Sequence, residues 1–368
     1  MSLPKTTRAC VLREFKTPLR IEDVPVPQII EPGALLVEMR AASICGTDVH
    51  LARGDLTLKV DLPVILGHEM VGEVIAAGTG TDTDSTGQPL RPGDRVIWTH
   101  TICGQCFYCA QAGQPTLCEN RRAYMFENID KPPHLLGGFA EHGYVLPDAG
   151  RIRVPDAVSD VLASVASCAM RSVMQAYHTL GELGPSDSVV IQGAGPLGLL
   201  AAAVAKLSGA RQVIVIGAPA ERLALADHYG ADTVLNLDTT SARDRLAQVQ
   251  ALTQGRGADV VMEFAGHPSA FAEGVSLARR GGRYVLTGLL GPEQTAFVPS
   301  QIVTKNLTVR GSFSGHVRSY AAALDFLARH ADALDWLAMV SGRFTLDQVD
   351  NALDRMERFE EIKPVVIL

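Results

Sequence analysis

Ser188-Val189-Val190-Ile191-Gln192-Gly193-Ala194-Gly195-Pro196-Leu197-Gly198 joins a short apolar run to three glycines at the spacing of a dinucleotide-binding turn. Each glycine has its own task in such a turn. Gly193 permits the tight reversal, Gly195 lets the backbone approach a pyrophosphate, and Gly198 lets the next helix pack close to the sheet. Pro196 and Leu197 open that helix, whose first amides and positive dipole end face the phosphates. The glycine spacing alone is a weak signal, and its weight comes from the segments around it.

Strand patterns at 188–192, 212–216, 233–236, 260–264 and 283–288 alternate with helical ones at 221–229, 242–253 and 271–277, after an alanine-rich helix reaching Leu207. That alternation predicts a doubly wound parallel sheet, a Rossmann coenzyme-binding domain in an α/β protein. Before residue 160 the pattern differs. Short β-branched runs at 20–24, 34–42, 70–76 and 95–99, with Pro92-Gly93-Asp94 as a turn, predict an irregular, mainly β domain, and a long helix is expected over 161–179. After Val309 come an amphipathic helix near 317–330, a short helix near 346 and an apolar strand over 364–368. A terminal strand needs a sheet to join, so this segment is expected to return to the first domain. The expected division is 1–169 and 314–368 for the catalytic domain, interrupted by a dinucleotide-binding domain over 170–313.

A carboxylate for the adenosine ribose belongs about 20 residues beyond the first glycine. Gly217 stands there, and the nearest basic side chain is Arg222, beside Glu221. NAD and NADP both remain open, with a lean to NAD because Arg222 is the one convincing basic candidate.

The 368 residues, 47% hydrophobic and 20% charged, suit a two-domain globule. A formal charge of -7 gives no general attraction to nucleic acid or anionic lipid. The first residues lack a continuous apolar stretch and later apolar runs are too short to span a bilayer, so no membrane partner and a cytoplasmic location are expected. Seven cysteines are modest for the length, but four fall between Cys103 and Cys118, which in a reducing compartment favours metal ligation over disulfides.

Cys103, Cys106, Cys109 and Cys118 offer four thiolates in one loop, a closed set suited to a structural zinc. The second set is dispersed: Cys45-Gly46-Thr47-Asp48-Val49-His50, then Gly67-His68-Glu69, then Cys168. Cys45, His68 and Cys168 supply two sulfurs and an imidazole, leaving a fourth zinc position for water or a substrate oxygen. Asp48 is expected to fix the His68 tautomer, and Glu69 to tune the site's field or exchange with water. Cys10 stays unassigned.

With these motifs, and with Pro92-Gly93-Asp94-Arg95-Val96, the chain resembles the zinc-containing medium-chain alcohol dehydrogenases over essentially its whole length. The resemblance implies a GroES-like catalytic domain interrupted by the coenzyme domain, with one catalytic and one structural zinc per subunit. It also implies proton transfer by Thr47 and His50, a Lys363 contact to the coenzyme pyrophosphate, and a homodimer or homotetramer. Two features depart from the pattern of many relatives: Cys168 stands where many polyol dehydrogenases have Glu, and Gly217 replaces the usual NAD-selecting Asp.

The reaction expected is reversible hydride transfer between an alcohol, secondary or cyclic, or its carbonyl product, and the nicotinamide. Thr47 takes the alcohol proton and His50, an imidazole suited to exchange near neutrality, passes it to solvent. Trp98, Thr99 and Leu289 are candidate cleft residues, and Tyr124-Met125-Phe126 a candidate lid or interface. The nearest alternative is a polyol or amino-alcohol dehydrogenase; from another class, a non-catalytic coenzyme-binding or structural module would bind zinc only at the four-cysteine loop.

Overall fold

The structure is a computed structural model that describes residues 3–56, 59–288, 291 and 293–368. Contacts divide it into one unit of Met1–Arg171, Gly315–Ala331 and Val340–Leu368, and a second of Ser172–Ser314 with Asp332–Met339. The second unit interrupts the first.

The first unit holds two sheets, antiparallel throughout except where Gly342–Phe344 runs parallel to Pro364–Ile367. Thr6–Leu12 pairs with Arg20–Pro25 on one side and with Val64–Ile65 on the other. The larger sheet runs Gly342–Phe344, Pro364–Ile367, Leu35–Ser43, Glu69–Ala77, Arg95–Thr101, Ala149–Arg153, and His142–Val145 also pairs with Leu35–Ser43. Val365, Val366 and Ile367 stand opposite Ser43, Ala42 and Ala41, so the last strand completes the sheet begun by the third. Leu35–Ser43 is central because its residues are buried on both faces except Glu38 and Arg40, a near-continuous apolar run. Those long central strands and Pro364–Ile367 are legible in sequence; Val64–Ile65, His142–Val145 and Gly342–Phe344 are not, because too few alternating positions exist to form a pattern.

The expected helix over 161–179 forms in three pieces. An α-helix at Asp160–Val165, capped by Ser159 Oγ accepting from the Leu162 amide, passes through a π-helical turn at Ala166–Met170 into a second α-helix at Arg171–Leu180. Such turns shift the helix register by one residue and recur at functional sites. This one carries Cys168.

The second unit is a six-stranded, wholly parallel sheet in the order Thr233–Asn236, Gln212–Gly217, Ser188–Gln192, Ala258–Glu263, Ala278–Leu286, Thr308–Gly311. Numbered within the unit this is 3-2-1-4-5-6, the doubly wound dinucleotide-binding order, with its reversal point between Ser188–Gln192 and Ala258–Glu263. The segment Asp332–Met339, inside the C-terminal stretch expected in the catalytic domain, packs here instead. Tyr229 explains why: its hydroxyl donates to the Trp336 carbonyl at 3.0 Å and accepts from the Met339 amide at 3.2 Å. Among the described residues no helix is long and apolar enough to cross a membrane.

Asp259 ties two strands of this sheet. Its carboxylate accepts from the Ser188 amide at 2.8 Å and pairs with Arg279. Burial opposes ionisation, but the Ser188 amide and Arg279 outweigh it and hold the carboxyl below its usual range. A depressed folded value means the stabilisation is complete above the ordinary carboxylate range and is lost as pH falls through the folded value. In acid-unfolding titrations, Asp259→Asn should therefore lower stability at neutral pH and flatten the acid limb below about pH 4; an unchanged acid limb would count against the assignment.

Candidate metal centres and coenzyme turn

Four donors from three distant segments converge in the first unit. The Sγ atoms of Cys45 and Cys168, an imidazole nitrogen of His68 and a carboxylate oxygen of Glu69 all lie within 4.8 Å of one another. Cys45 occupies the N-cap of the helix Gly46–Arg53, where Asp48 Oδ2 accepts its amide at 2.9 Å. Asp48 Oδ1 accepts the Gly67 amide, also at 2.9 Å. One fully buried carboxylate thus ties the Cys45 segment to the His68 segment, and a thiolate at a helix N-terminus gains from the dipole.

His68 is nearly buried, with Nε2 3.5 Å from Cys168 Sγ. Its Nδ1 lies 3.6 Å from Asp48 Oδ1, beyond hydrogen-bond length, and 3.2 Å from Met125 Sδ. Asp48, expected to fix the His68 tautomer, faces this nitrogen at charge-contact distance while its two oxygens also accept the Cys45 and Gly67 amides. Met125 is the neighbour that sequence reasoning missed. It is 1% exposed with φ 67, a backbone conformation uncommon for so large a side chain. Neither spacing nor residue type signals it.

The thiols differ. Cys45 is pushed up to about 11, first by its hydrogen bond with Cys168 and then by burial. Cys168 is pulled down by that same bond against burial, with Arg171 and Lys363 adding to the effect.

Glu69 and Lys363 form a buried ion pair, and Ser43 Oγ donates to the same Glu69 oxygen. Lys363 Nζ also donates to the Ile44 carbonyl at 3.1 Å. Burial disfavours the ammonium, but Glu69 and the two thiols outweigh it and raise the Lys363 value. At 2% exposure Lys363, expected at the coenzyme pyrophosphate, is engaged here with Glu69 inside the catalytic unit. The second Glu69 oxygen is buried without a hydrogen-bond partner, a costly state that a cation among the four donors would relieve. Soft sulfurs, an imidazole and an orphaned carboxylate oxygen fit zinc.

Thr47 and His50 share the Gly46–Arg53 helix. Thr47 Oγ1 lies 3.7 Å from Cys45 Sγ, while exposed His50 faces Asp55 through Nδ1 at 3.0 Å. Trp98 and Thr99, expected at a cleft wall, are 2% exposed and belong to the core. Tyr124 joins them there, its hydroxyl accepting the Leu146 amide at 2.9 Å, so no free lid forms at 124–125. Leu289 lies outside the described residues.

The Sγ atoms of Cys103, Cys106, Cys109 and Cys118 also lie within 4.8 Å of one another, and all seven cysteines are free of disulfides. A zinc with bonds of about 2.3 Å separates tetrahedral sulfurs by about 3.8 Å; Cys103 and Cys118 stand at 3.5 Å. Asn120 and the amides of Gln105 and Cys106 pull the Cys103 thiol down to about 6, favouring the thiolate that a metal takes.

In the second unit Gly193 has φ 120, and a Cβ there would stand 2.9 Å from the Ala265 amide nitrogen. A Cβ on Gly198 would stand 1.9 Å from the Gly193 carbonyl oxygen, so the helix Pro196–Leu207 can begin there only on glycine. At Gly195 a Cβ would meet nothing within 4 Å, open space in front of the turn. Gly217 packs on the turn itself: a Cβ would meet that of Ala194 at 2.5 Å. Arg222 is half-buried in the short helix Ala220–Leu223 that follows.

Residues 31–156 match the model of the alcohol dehydrogenase GroES-like domain, and residues 196–329 that of the zinc-binding dehydrogenases. The chain is 34% identical to 5-exo-hydroxycamphor dehydrogenase of Pseudomonas putida, over 98% of each chain. Among solved structures it is similar to an alcohol dehydrogenase of Thermotoga maritima, at 33% identity and TM-score 0.93, covering 98% of this chain and 99% of that one. A zinc-binding dehydrogenase from Sinorhizobium meliloti, solved with NADP, is 28% identical with TM-score 0.85, covering 99% and 100%.

Proposed function

This chain belongs to the zinc-containing medium-chain alcohol dehydrogenases, and from that premise we propose that Cys45, His68 and Cys168 hold a catalytic zinc with Glu69 beside them. The convergence of these four donors within 4.8 Å carries the reading. The enzyme transfers a hydride reversibly between an alcohol and a nicotinamide coenzyme. Zinc at this site supplies a Lewis acid for the substrate oxygen.

The chain's own residues do the rest. Asp48 holds the Cys45 and Gly67 amides and so fixes two donor segments relative to each other. Thr47 Oγ1 takes the hydroxyl proton of the alcohol, and exposed His50, steadied by Asp55 at Nδ1, returns it to solvent. Gly193, Gly195 and Gly198, with Pro196 and Leu197, cradle the coenzyme pyrophosphate at the helix start. Cys103, Cys106, Cys109 and Cys118 hold a second, structural zinc. Seven free cysteines suit a reducing compartment, the cytoplasm, and homo-oligomerisation accords with the family.

Secondary or cyclic alcohols are the proposed substrates. No carboxylate at Gly217 repels a 2′-phosphate, and Arg222 is the basic residue that follows it on the next helix, so the preference for NAD over NADP is expected to be small. Nicotinamide absorbance, followed with zinc-replete protein, both coenzymes and matched primary, secondary, cyclic and polyhydroxy alcohols, tests the reading. Turnover of secondary or cyclic alcohols, with coenzymes differing by less than about tenfold, about 1.4 kcal/mol, is expected. Activity confined to polyols would move the substrate assignment, and zinc-loaded protein inactive with every alcohol would overturn it.

A further inference from the structure

One fully buried carboxyl in the coenzyme unit has no place in the mechanism above. Glu263, 0% exposed, ends the fourth strand of the parallel sheet, Ala258–Glu263. It stands in register with Gln192, the last residue of the first strand and the one before the glycine turn. Among the described residues, the partners of its two carboxyl oxygens are backbone amides from two different loops. Oε1 accepts the Gly266 amide at 2.5 Å, in the loop after the fourth strand, and Oε2 accepts the Gly288 amide at 2.9 Å, in the loop after the fifth. The Glu263 carbonyl takes the Thr287 amide as well, at 3.1 Å.

The joined loops leave no slack. A Cβ on Gly288 would stand 2.6 Å from the Gly266 amide nitrogen, and one on Gly266, where φ is 71, would stand 3.0 Å from the Gly288 carbonyl oxygen. The first of these loops also packs on the glycine turn, where a Cβ on Gly193 would meet the Ala265 amide nitrogen, and the Phe264 amide donates to the Gln192 carbonyl at 2.8 Å. Gln192 is pinned in its turn. Its Oε1 accepts the Tyr284 hydroxyl at 2.8 Å and its Nε2 donates to the Ala270 carbonyl at 2.9 Å. The glycine turn and the ends of the fourth and fifth strands therefore form one bonded surface, with Glu263 as its cross-link.

Packing does not call for a carboxyl here. Val260, Val261 and Met262 fill the preceding positions with apolar side chains, and another of like size would be buried at lower cost than an acid. What the carboxyl adds is geometry, since two acceptors on one rigid strand fix two loops relative to each other. Dinucleotides lie outside the carboxyl ends of such sheets where the strand order reverses, across two mononucleotide-binding halves. The turn after the first strand and the Gly217 position after the second serve the adenosine half. The loops after the fourth and fifth strands fall to the other half.

We infer that Glu263 is a positioning residue for the nicotinamide half of the coenzyme, holding the 264–266 and 287–288 loops as one preformed wall so that their ordering is not left to the moment of binding. This rests on the dehydrogenase reading and deepens it, adding to the glycine turn a second part of the coenzyme site.

The test is coenzyme binding, in which neither zinc nor alcohol takes part. Glu263→Gln keeps the shape of the side chain but turns an NH2 group towards one of the two amides, so one loop is released. Binding of NADH and NADPH, read by nicotinamide fluorescence, should weaken by about tenfold. Binding of the adenosine half alone, 5′-AMP or 2′,5′-ADP by calorimetry, should stay as in the parent, whereas a merely structural lesion would weaken both. Wild-type protein gives a readout that needs no variant to fold: amide exchange in the peptides containing Gly266 and Gly288 should slow on adding the dinucleotide and not on adding its adenosine half. Should the variant not fold, the exchange result decides. Loss of both ligands together, dinucleotide binding unmoved by Glu263→Gln, or exchange that the dinucleotide slows no more than its adenosine half does, overturns the inference and leaves the dehydrogenase reading standing. A wild-type chain that binds neither dinucleotide rejects both.

Discussion

Cys168→Ala is expected to lower kcat/KM by at least about 1,000-fold while the chain keeps one of the two zinc ions proposed for it. Polarisation of a substrate oxygen by a metal contributes several kcal/mol to the transition state, and each 1.36 kcal/mol is a factor of ten in rate. The remaining donors cannot compensate. Cys45 and His68 leave two open positions, and Glu69, held through one oxygen by Lys363 and Ser43, offers only a harder carboxylate oxygen in place of the lost sulfur. Cys168 also supplies the contact by which Arg171 is seated, so its removal disturbs two groups at once. Metal analysis with parallel turnover measurements checks the result; two zinc ions per chain in an inactive variant would mean that Cys168 is not a ligand.

Cys118→Ser separates the other centre from the chemistry. Loss of one of four thiolates should release the proposed structural zinc and lower the melting temperature by about 6–12 °C. Metal binding that folds a small isolated domain is worth about 10–16 kcal/mol. Here only the loop over 103–118 depends on it, since the strands beside it have their own core, so a loss of about 3 kcal/mol is the reasonable scale, or roughly 6–12 °C. Turnover below the melting point should persist, because no residue of this loop belongs to the catalytic donor set. A variant that retains two zinc ions, or melts where the parent does, would remove the structural role.

What the sequence discloses depends on how local each feature is. The glycine turn is one continuous stretch with its strand and helix attached, so both its fold and its chemistry are read together. The four-cysteine loop is equally local. The dispersed donors are legible through residue type, since Cys, His and Cys next to characteristic neighbours imply a soft metal, but their convergence depends on tertiary contacts. Met125 against His68 and Lys363 against Glu69 bring together residues far apart in the chain, and no periodicity encodes either. Lys363 in particular is an ordinary basic residue in sequence and a buried counter-charge in the fold. The π turn escapes notice for another reason: residues 161–179 carry a good helical pattern throughout, and a one-residue register shift hardly disturbs it.

The closing strand Pro364–Ile367 has a consequence in time. The sheet that carries the Cys45 and His68 segments is finished only when this strand pairs with Leu35–Ser43. Lys363, which neutralises Glu69 beside those donors, sits immediately before that strand. During synthesis the interrupting unit is complete in sequence before the unit it interrupts, and contacts of such long separation form slowly. Capture of the proposed catalytic metal is therefore expected only after Pro364–Ile367 has been made and has paired, whereas the four-cysteine loop closes on local contacts and is expected to load earlier.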